Sequence, residues 1–151
     1  MSSDSGPGPE VSRRLGYLLK HAGMRLAELN GKALAPFGIE ARELAILLLL
    51  AGREPASQQQ AAQRLGVDRT TMVALLDTLE GKGLVSRHPH AEDRRRNVVE
   101  LTAAGQETLR RATQASDDAE HALLAPLSPE DGQHLRDVLQ LIVTHRNADE
   151  G

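Results

Sequence analysis

The chain has no cysteine and no tryptophan, and only one tyrosine and one phenylalanine, Tyr17 and Phe37. Without thiols there can be no disulfides, thiolate metal sites, cysteine catalysis or thiol-based oxidation sensing. With so few aromatics the core must come from Leu, Val, Ile and Ala, which suits packed helices. No run reaches the roughly 18 to 20 apolar residues of a membrane helix, and Ala45 to Ala51 is apolar but far too short. Met1 to Glu10 lacks the basic start and apolar run of a signal peptide. The expectation is a cytoplasmic protein with no membrane partner. No internal repeat is visible.

The 151 residues suit one domain with its own core. The net charge of −3 does not advertise nucleic-acid binding, but the distribution is uneven. Arg64 to Arg96 carries seven Lys or Arg against five Asp or Glu, a balance of +2, and the remainder has a balance of −5. A modestly cationic surface on an acidic protein should bind polyanions with strong salt dependence.

That cationic stretch is also the most patterned one. Ser57 followed by Gln60 forms a capping box. The short helix it opens stops at Gly66, a residue suited to a left-handed C-cap. Asp68 supplies a second N-cap almost at once. A short helix, a tight turn and a capped second helix is a helix-turn-helix pattern. In the second helix, Arg69 to Gly81, Met72, Leu75, Leu76 and Leu79 follow the i, i+3, i+4, i+7 rule and point inward. Arg69, Thr70, Val73, Ala74 and Asp77 fall on the other face, with Thr71 beside the start. Arg and Thr next to open N–H groups suit phosphates and base edges in a major groove. An alternating strand follows Gly83, and Asn97 to Leu101 is a second, β-branched strand. Between them the loop Pro89 to Arg96 ends in Arg94, Arg95 and Arg96, a cationic tip suited to a narrow minor groove.

The flanks read as helices. Val11 to Ala35 carries a stripe of Leu15, Leu18, Ala22, Leu26 and Leu29. Pro36-Phe37-Gly38 breaks it. Ala41 to Ala51 is apolar almost all round and should be central, with Gly52 to Ala56 as its exit loop. Thr102 caps a long helix to about Leu124. Ser128-Pro129-Glu130-Asp131 restarts a last helix to about His145. Residues 1–10 and 147–151 are expected to be disordered.

Taken together, Gly38-Ile39, Leu65 to Thr71, Leu79 to Val85, Asp93-Arg94-Arg95 and Val99 to Gly105 make the chain resemble the winged-helix regulators of the multiple antibiotic resistance regulator (MarR) family over nearly its whole length. The fold class implied is mainly α with a small β-hairpin: a winged helix-turn-helix at residues 36–102, dimerised through terminal helices at 11–35 and 103–146. The resemblance further implies a homodimer, in most cases a repressor, that reads an inverted-repeat operator in double-stranded DNA and is released by a small molecule. Arg69, Thr70, Thr71, Val73 and Ala74 would face the major groove, and Arg94, Arg95 and Arg96 the minor groove. Asp93 would orient a wing arginine. Ser57, Gln58, Lys82 and Arg87 are candidates for phosphate contact. The family often binds aromatic anions between the arms and the winged core, where Arg14, Tyr17, His21 and Phe37 are the candidates. Ala74 departs from the Arg frequent in the family, and Glu40 from the usual Thr or Ser cap.

Each reading has a plainer rival: a solvated helix start, a solubilising loop, rim charge, or plain packing and surface for the four cleft candidates. His88 with His90, and Asp117 with His121, have spacings that suit a metal, but none is diagnostic and no metal or other cofactor is expected. Ser, His and Asp occur without a motif that places a nucleophile against a base, so catalysis is not expected. A winged-helix protein-interaction module and a metal or ligand sensor using its histidines remain the alternatives.

Overall fold

The computed structural model describes residues 6–52, 56–89, 91–92 and 97–149. In chain order the elements are α1 (Pro9–Ser12), α2 (Leu15–Leu34), a 3-10 turn (Ala35–Phe37), α3 (Ala41–Ala51), β1 (Ala56–Ser57), α4 (Gln58–Leu65), α5 (Arg69–Gly81), β2 (Val85–Pro89), β3 (Asn97–Leu101), α6 (Ala103–Leu124) and α7 (Pro129–Asp149). No helix among the described residues is long and apolar enough to cross a membrane.

The core forms where α3, α4, α5 and the sheet converge. Leu34, Ile46, Leu47, Met72, Leu76, Leu79, Val85 and Val99 are fully buried there. Met72, Leu76 and Leu79 are the inward stripe the periodicity predicts, with Leu75 partly buried beside them. Each such aliphatic side chain contributes about 1.5–3 kcal/mol on burial. α3 is central as expected, although Leu48 remains 49% exposed.

The sheet is antiparallel, in the order β1-β3-β2. β2 and β3 pair from Val85↔Leu101 to Pro89↔Asn97. β1 corrects the reading of Gly52 to Ala56 as a plain exit loop: Ala56 pairs with Val99, and Ser57 with Val98. A two-residue strand carries no alternation for a periodicity argument to detect.

α2 lies along α6 in the most extensive helix pairing of the chain. Buried Ala112 and Ala119 mark the inner face of α6, and Ser116 Oγ donates to Asn30 Oδ1 at 3.0 Å across the seam. The ends differ from expectation. The helix expected over 11–35 is two helices, because the backbone is extended at Arg14 (ψ 138°). α1 begins at Pro9, inside the segment expected to be disordered, with Pro in the first turn where its missing N–H costs nothing. α7 continues to Asp149, past the predicted stop at His145. α7 makes only weak contact with its own chain, near its start, where Gly132 is buried beside Leu124 and Arg136 lies 3.5 Å from Glu120. Farther along, Leu141, Ile142 and Val143 are 65–69% exposed.

One charge pair joins the start of α3 to the end of α5. Glu43 is buried, and its carboxylate accepts from Lys82 Nζ at 2.8 and 3.1 Å and from the Glu40 N–H at 3.0 Å. Lys82 Nζ also donates to the Gly38 carbonyl at 2.6 Å. The partners are unequally placed, since the Lys82 side chain is 35% exposed and that of Glu43 only 4%. Removing the lysine strands a buried charge, whereas removing the glutamate leaves an ammonium that can reach water. Lys82→Met is therefore expected to cost about 3 kcal/mol and Glu43→Leu about 1 kcal/mol, compared by urea unfolding at one protein concentration. Equal or reversed losses would contradict this asymmetry.

Candidate nucleic-acid interface

Three caps fix α4, the turn after it and the start of α5. Ser57 Oγ accepts from the Gln60 N–H at 3.1 Å, and Gln60 Oε1 accepts from the Ser57 N–H at 3.1 Å. Gly66 closes α4 at φ 66°, a left-handed conformation that other residues rarely adopt. Asp68 then opens α5: Oδ1 accepts from the Thr71 N–H at 2.7 Å and Oδ2 from the Thr71 hydroxyl at 2.8 Å. These bonds, the backbone one foremost, hold the Asp68 carboxyl below its ordinary pKa.

The caps decide what the start of α5 displays. Arg69, Thr70 and Ala74 are exposed, and Val73 is half-buried. Thr71 is also half-buried, and its hydroxyl proton is committed to Asp68. Thr71 therefore serves the cap as well as standing at the start of α5. Beside Arg69 lies a polar recess of about 220 Å³ lined by Ser57, Gln58, Gln59, Gln60, Gln63 and Asn97. It opens at the N-terminus of α4, where first-turn N–H groups and the helix dipole favour an anion. Gln59, Gln63 and Asn97 were not singled out from the sequence. The run Gln58-Gln59-Gln60 just after a cap was an available signal for the first of these. Asn97 reaches the recess only because β3 pairs with β1, and no local pattern shows that.

Of the four candidates for phosphate contact, Ser57 and Gln58 line this recess, while Lys82 and Arg87 are committed elsewhere. The ammonium of Lys82 is taken up by Glu43 and Gly38. Arg87 on β2 donates Nε to Glu80 Oε2 at 3.1 Å, Nη1 to Gln58 Oε1 at 3.0 Å and Nη2 to Asp77. Its side chain is only 19% exposed. It thus fastens β2 to both α4 and α5 and partly offsets the two carboxylates on the outer face of α5. Because guanidinium only donates, Gln58 must turn its oxygen to Arg87, leaving its NH2 to donate elsewhere. Hydrogen bonding to Arg87 holds the Glu80 carboxyl below its ordinary pKa and raises that of Arg87.

Asp93, Arg94, Arg95 and Arg96, expected at the wing, and His90, expected as half of a metal pair, lie outside the described residues. The Pro89↔Asn97 pair brackets that loop. His88 Nδ1 lies 3.7 Å from Glu100 Oε1. Among the described residues no three His, Asp or Glu are grouped to hold a metal ion.

The effector candidates separate into two places. Tyr17 and His21 stack, with ring centroids 4.1 Å apart and planes at 31°, and Arg14 precedes Tyr17 by one turn. Phe37 follows the far end of α2, about 25 Å along the axis from Tyr17, and packs against the core. Within one chain it therefore stands apart from the other three.

Residues 37–96 match the sequence model of the MarR family. The chain is 31% identical over 117 residues to the HTH-type transcriptional regulator PecS of Dickeya dadantii (strain 3937), covering 76% of this chain and 70% of PecS. It is 32% identical over 102 residues to the HTH-type transcriptional regulator YdgJ of Bacillus subtilis (strain 168), covering 68% of this chain and 62% of YdgJ, less than two thirds of that protein. Among solved structures, the fold matches the transcriptional repressor CouR bound to a 23-mer DNA duplex with a TM-score of 0.84 and 35% identity, over 89% of this chain and 95% of that one. It also matches CouR from Rhodococcus jostii RHA1 bound to p-coumaroyl-CoA, with a TM-score of 0.76 and 30% identity, over 87% of this chain and 93% of that one.

The Arg87 joint carries a pH signature. A carboxyl whose pKa is lowered on folding adds stability that is present above its unfolded value, ordinarily 4.5 for Glu80, and is lost as pH falls below it. Arg87→Met is accordingly expected to lower the melting temperature at about pH 6 and to differ much less from wild type at about pH 3. A gap that stays constant across that range would show that Arg87 contributes by packing alone.

Proposed function

The chain belongs to the MarR family, and from that premise we propose that it is a sequence-specific, non-enzymatic DNA-binding regulator of transcription, a repressor acting as a homodimer in the cytoplasm. The observation that carries this reading is the capped start of α5, which presents exposed Arg69 and Thr70 next to the polar recess at the start of α4. Phosphate in that recess would meet Arg69, the Ser57 hydroxyl, the Gln58 amide and open helix N–H groups, and would set the register of α5 on the duplex. Thr70 and Ala74 would then face base edges. Arg94 and its neighbours, on the loop between β2 and β3, would enter the flanking minor groove.

Support for a homodimer comes from the apolar side chains left uncovered on the terminal helices. Val11, Leu15, Leu18, Leu19 and Met24 at one end, and Leu141, Ile142 and Val143 at the other, are 46–74% exposed. Two copies joined there would place two α5 helices along one duplex and favour an inverted repeat with half-sites about one turn apart. The structure of CouR with p-coumaroyl-CoA supports release by a small molecule, for which Arg14, Tyr17 and His21 form the candidate face. An aromatic acid would stack on the ring pair and meet the guanidinium.

The direct test is selection of bound duplexes from a random pool. A palindrome with half-sites one turn apart is expected; enrichment of no motif would remove the sequence-specific reading. On the selected site, Arg94→Ala should weaken binding to all sequences and reduce the salt slope by about 1. Thr70→Ala should mainly change base preference, by about 1–3 kcal/mol at one position. Mobility-shift titrations read both, and unchanged affinity for Arg94→Ala would take the wing out of the mechanism.

A further inference from the structure

The tripeptide Lys82-Gly83-Leu84 leaves α5 and enters β2, and it is gripped from two directions. On one side Lys82 Nζ donates to the Gly38 carbonyl, at the end of α2 and its 3-10 turn, at 2.6 Å, and to buried Glu43 of α3 at 2.8 Å. On the other side Thr102, the cap of α6, donates its hydroxyl to the Gly83 carbonyl at 2.6 Å and its N–H to the Leu84 carbonyl at 3.1 Å. One turn into α6, buried Gly105 lies so close that a Cβ there would fall 2.0 Å from the Leu84 carbonyl oxygen. Leu84 is also tied back to α5, its N–H donating to the Leu79 carbonyl at 3.0 Å. Its side chain and that of Val85 are buried.

We propose that this tripeptide is a rigid joint binding α5 and the β2–β3 hairpin to α2 and α6 as one body, with Lys82, Thr102 and Gly105 as positioning residues for DNA reading. None of the three needs to touch DNA; they act by holding the exit of α5. The inference rests on the reading above of a homodimer on duplex DNA. Its consequence is geometric. With the joint intact, the separation of the two α5 helices is set by the arms alone, and the dimer tolerates little change in half-site spacing. One added base pair moves a half-site by about 3.4 Å and turns it by about 35°, which a fixed helix cannot follow and a swinging one can.

The experiment compares the selected site with versions lengthened or shortened by one base pair at the centre. Wild type should lose at least about tenfold in affinity on either change. Thr102→Asp keeps an oxygen to accept from the Gly105 N–H, the cap bond now made at 3.0 Å, but has no proton to give Gly83. It should discriminate only about two- to threefold, as should Lys82→Met. Thr102→Ser, which keeps both bonds, should restore the wild-type ratio. Circular dichroism and sedimentation identify the folded dimers that count. If wild type selects no duplex, the functional reading fails and the joint with it. If wild type selects a site and folded Thr102→Asp and Lys82→Met discriminate spacing as sharply as wild type, the joint alone is overturned. A folded variant that binds neither spacing also counts against it, since that is the result of damaging the contact surface.

Discussion

The rotation of α5 about its own axis is the constraint on which the rest of the molecule depends. Successive residues of a helix are about 100° apart, so a shift of one position would turn Arg69 and Thr70 away from solvent. Burial of Met72, Leu76 and Leu79 in the cluster that includes Ile46, Leu47, Val85 and Val99 removes that freedom. The Asp68 cap sets where the helix begins, and the bonds of Lys82 and Leu84 set where it ends. Apolar packing therefore chooses the outward face, and polar contacts at the two ends hold it in register.

Charge is distributed by the same logic. Lys82 and Arg87 spend their cations inside the protein, on Glu43 and on the Asp77–Glu80 pair. α5 would otherwise offer two unpaired carboxylates on the face next to Arg69 and Thr70. Arg87 offsets about half of that charge and draws both groups into ion pairs while holding the hairpin to both helices of the turn. The outward positive charge at the start of α5 is then Arg69, assisted by the helix terminus of α4. A protein of net charge −3 can thus present a cationic edge without being basic as a whole.

Local chemistry was legible in the sequence. Ser57, Asp68 and Thr102 could be read as caps, and α5 as a helix with three buried residues on one side, because each rests on positions no more than seven apart. The contacts that local pattern does not show are made with distant partners. Lys82 and Arg87 looked like surface cations because their acceptors lie on other elements, up to 44 residues away for Gly38. β1 exists only through its pairing with β3. The stop between α1 and α2 had no marker at Arg14, and nothing in the structure explains why the backbone turns there.

The weak attachment of α7 has a thermodynamic consequence. A helix whose Leu141, Ile142 and Val143 stay exposed among the described residues would, in the proposed homodimer, have an ordering equilibrium governed by how many other chains are present. Dilution then acts as a denaturant for this part of the molecule, and abundance as a cofactor. On the proposed reading as a DNA-binding homodimer, copy number would enter twice: once through occupancy of the site, and once through the fraction of chains folded well enough to occupy it.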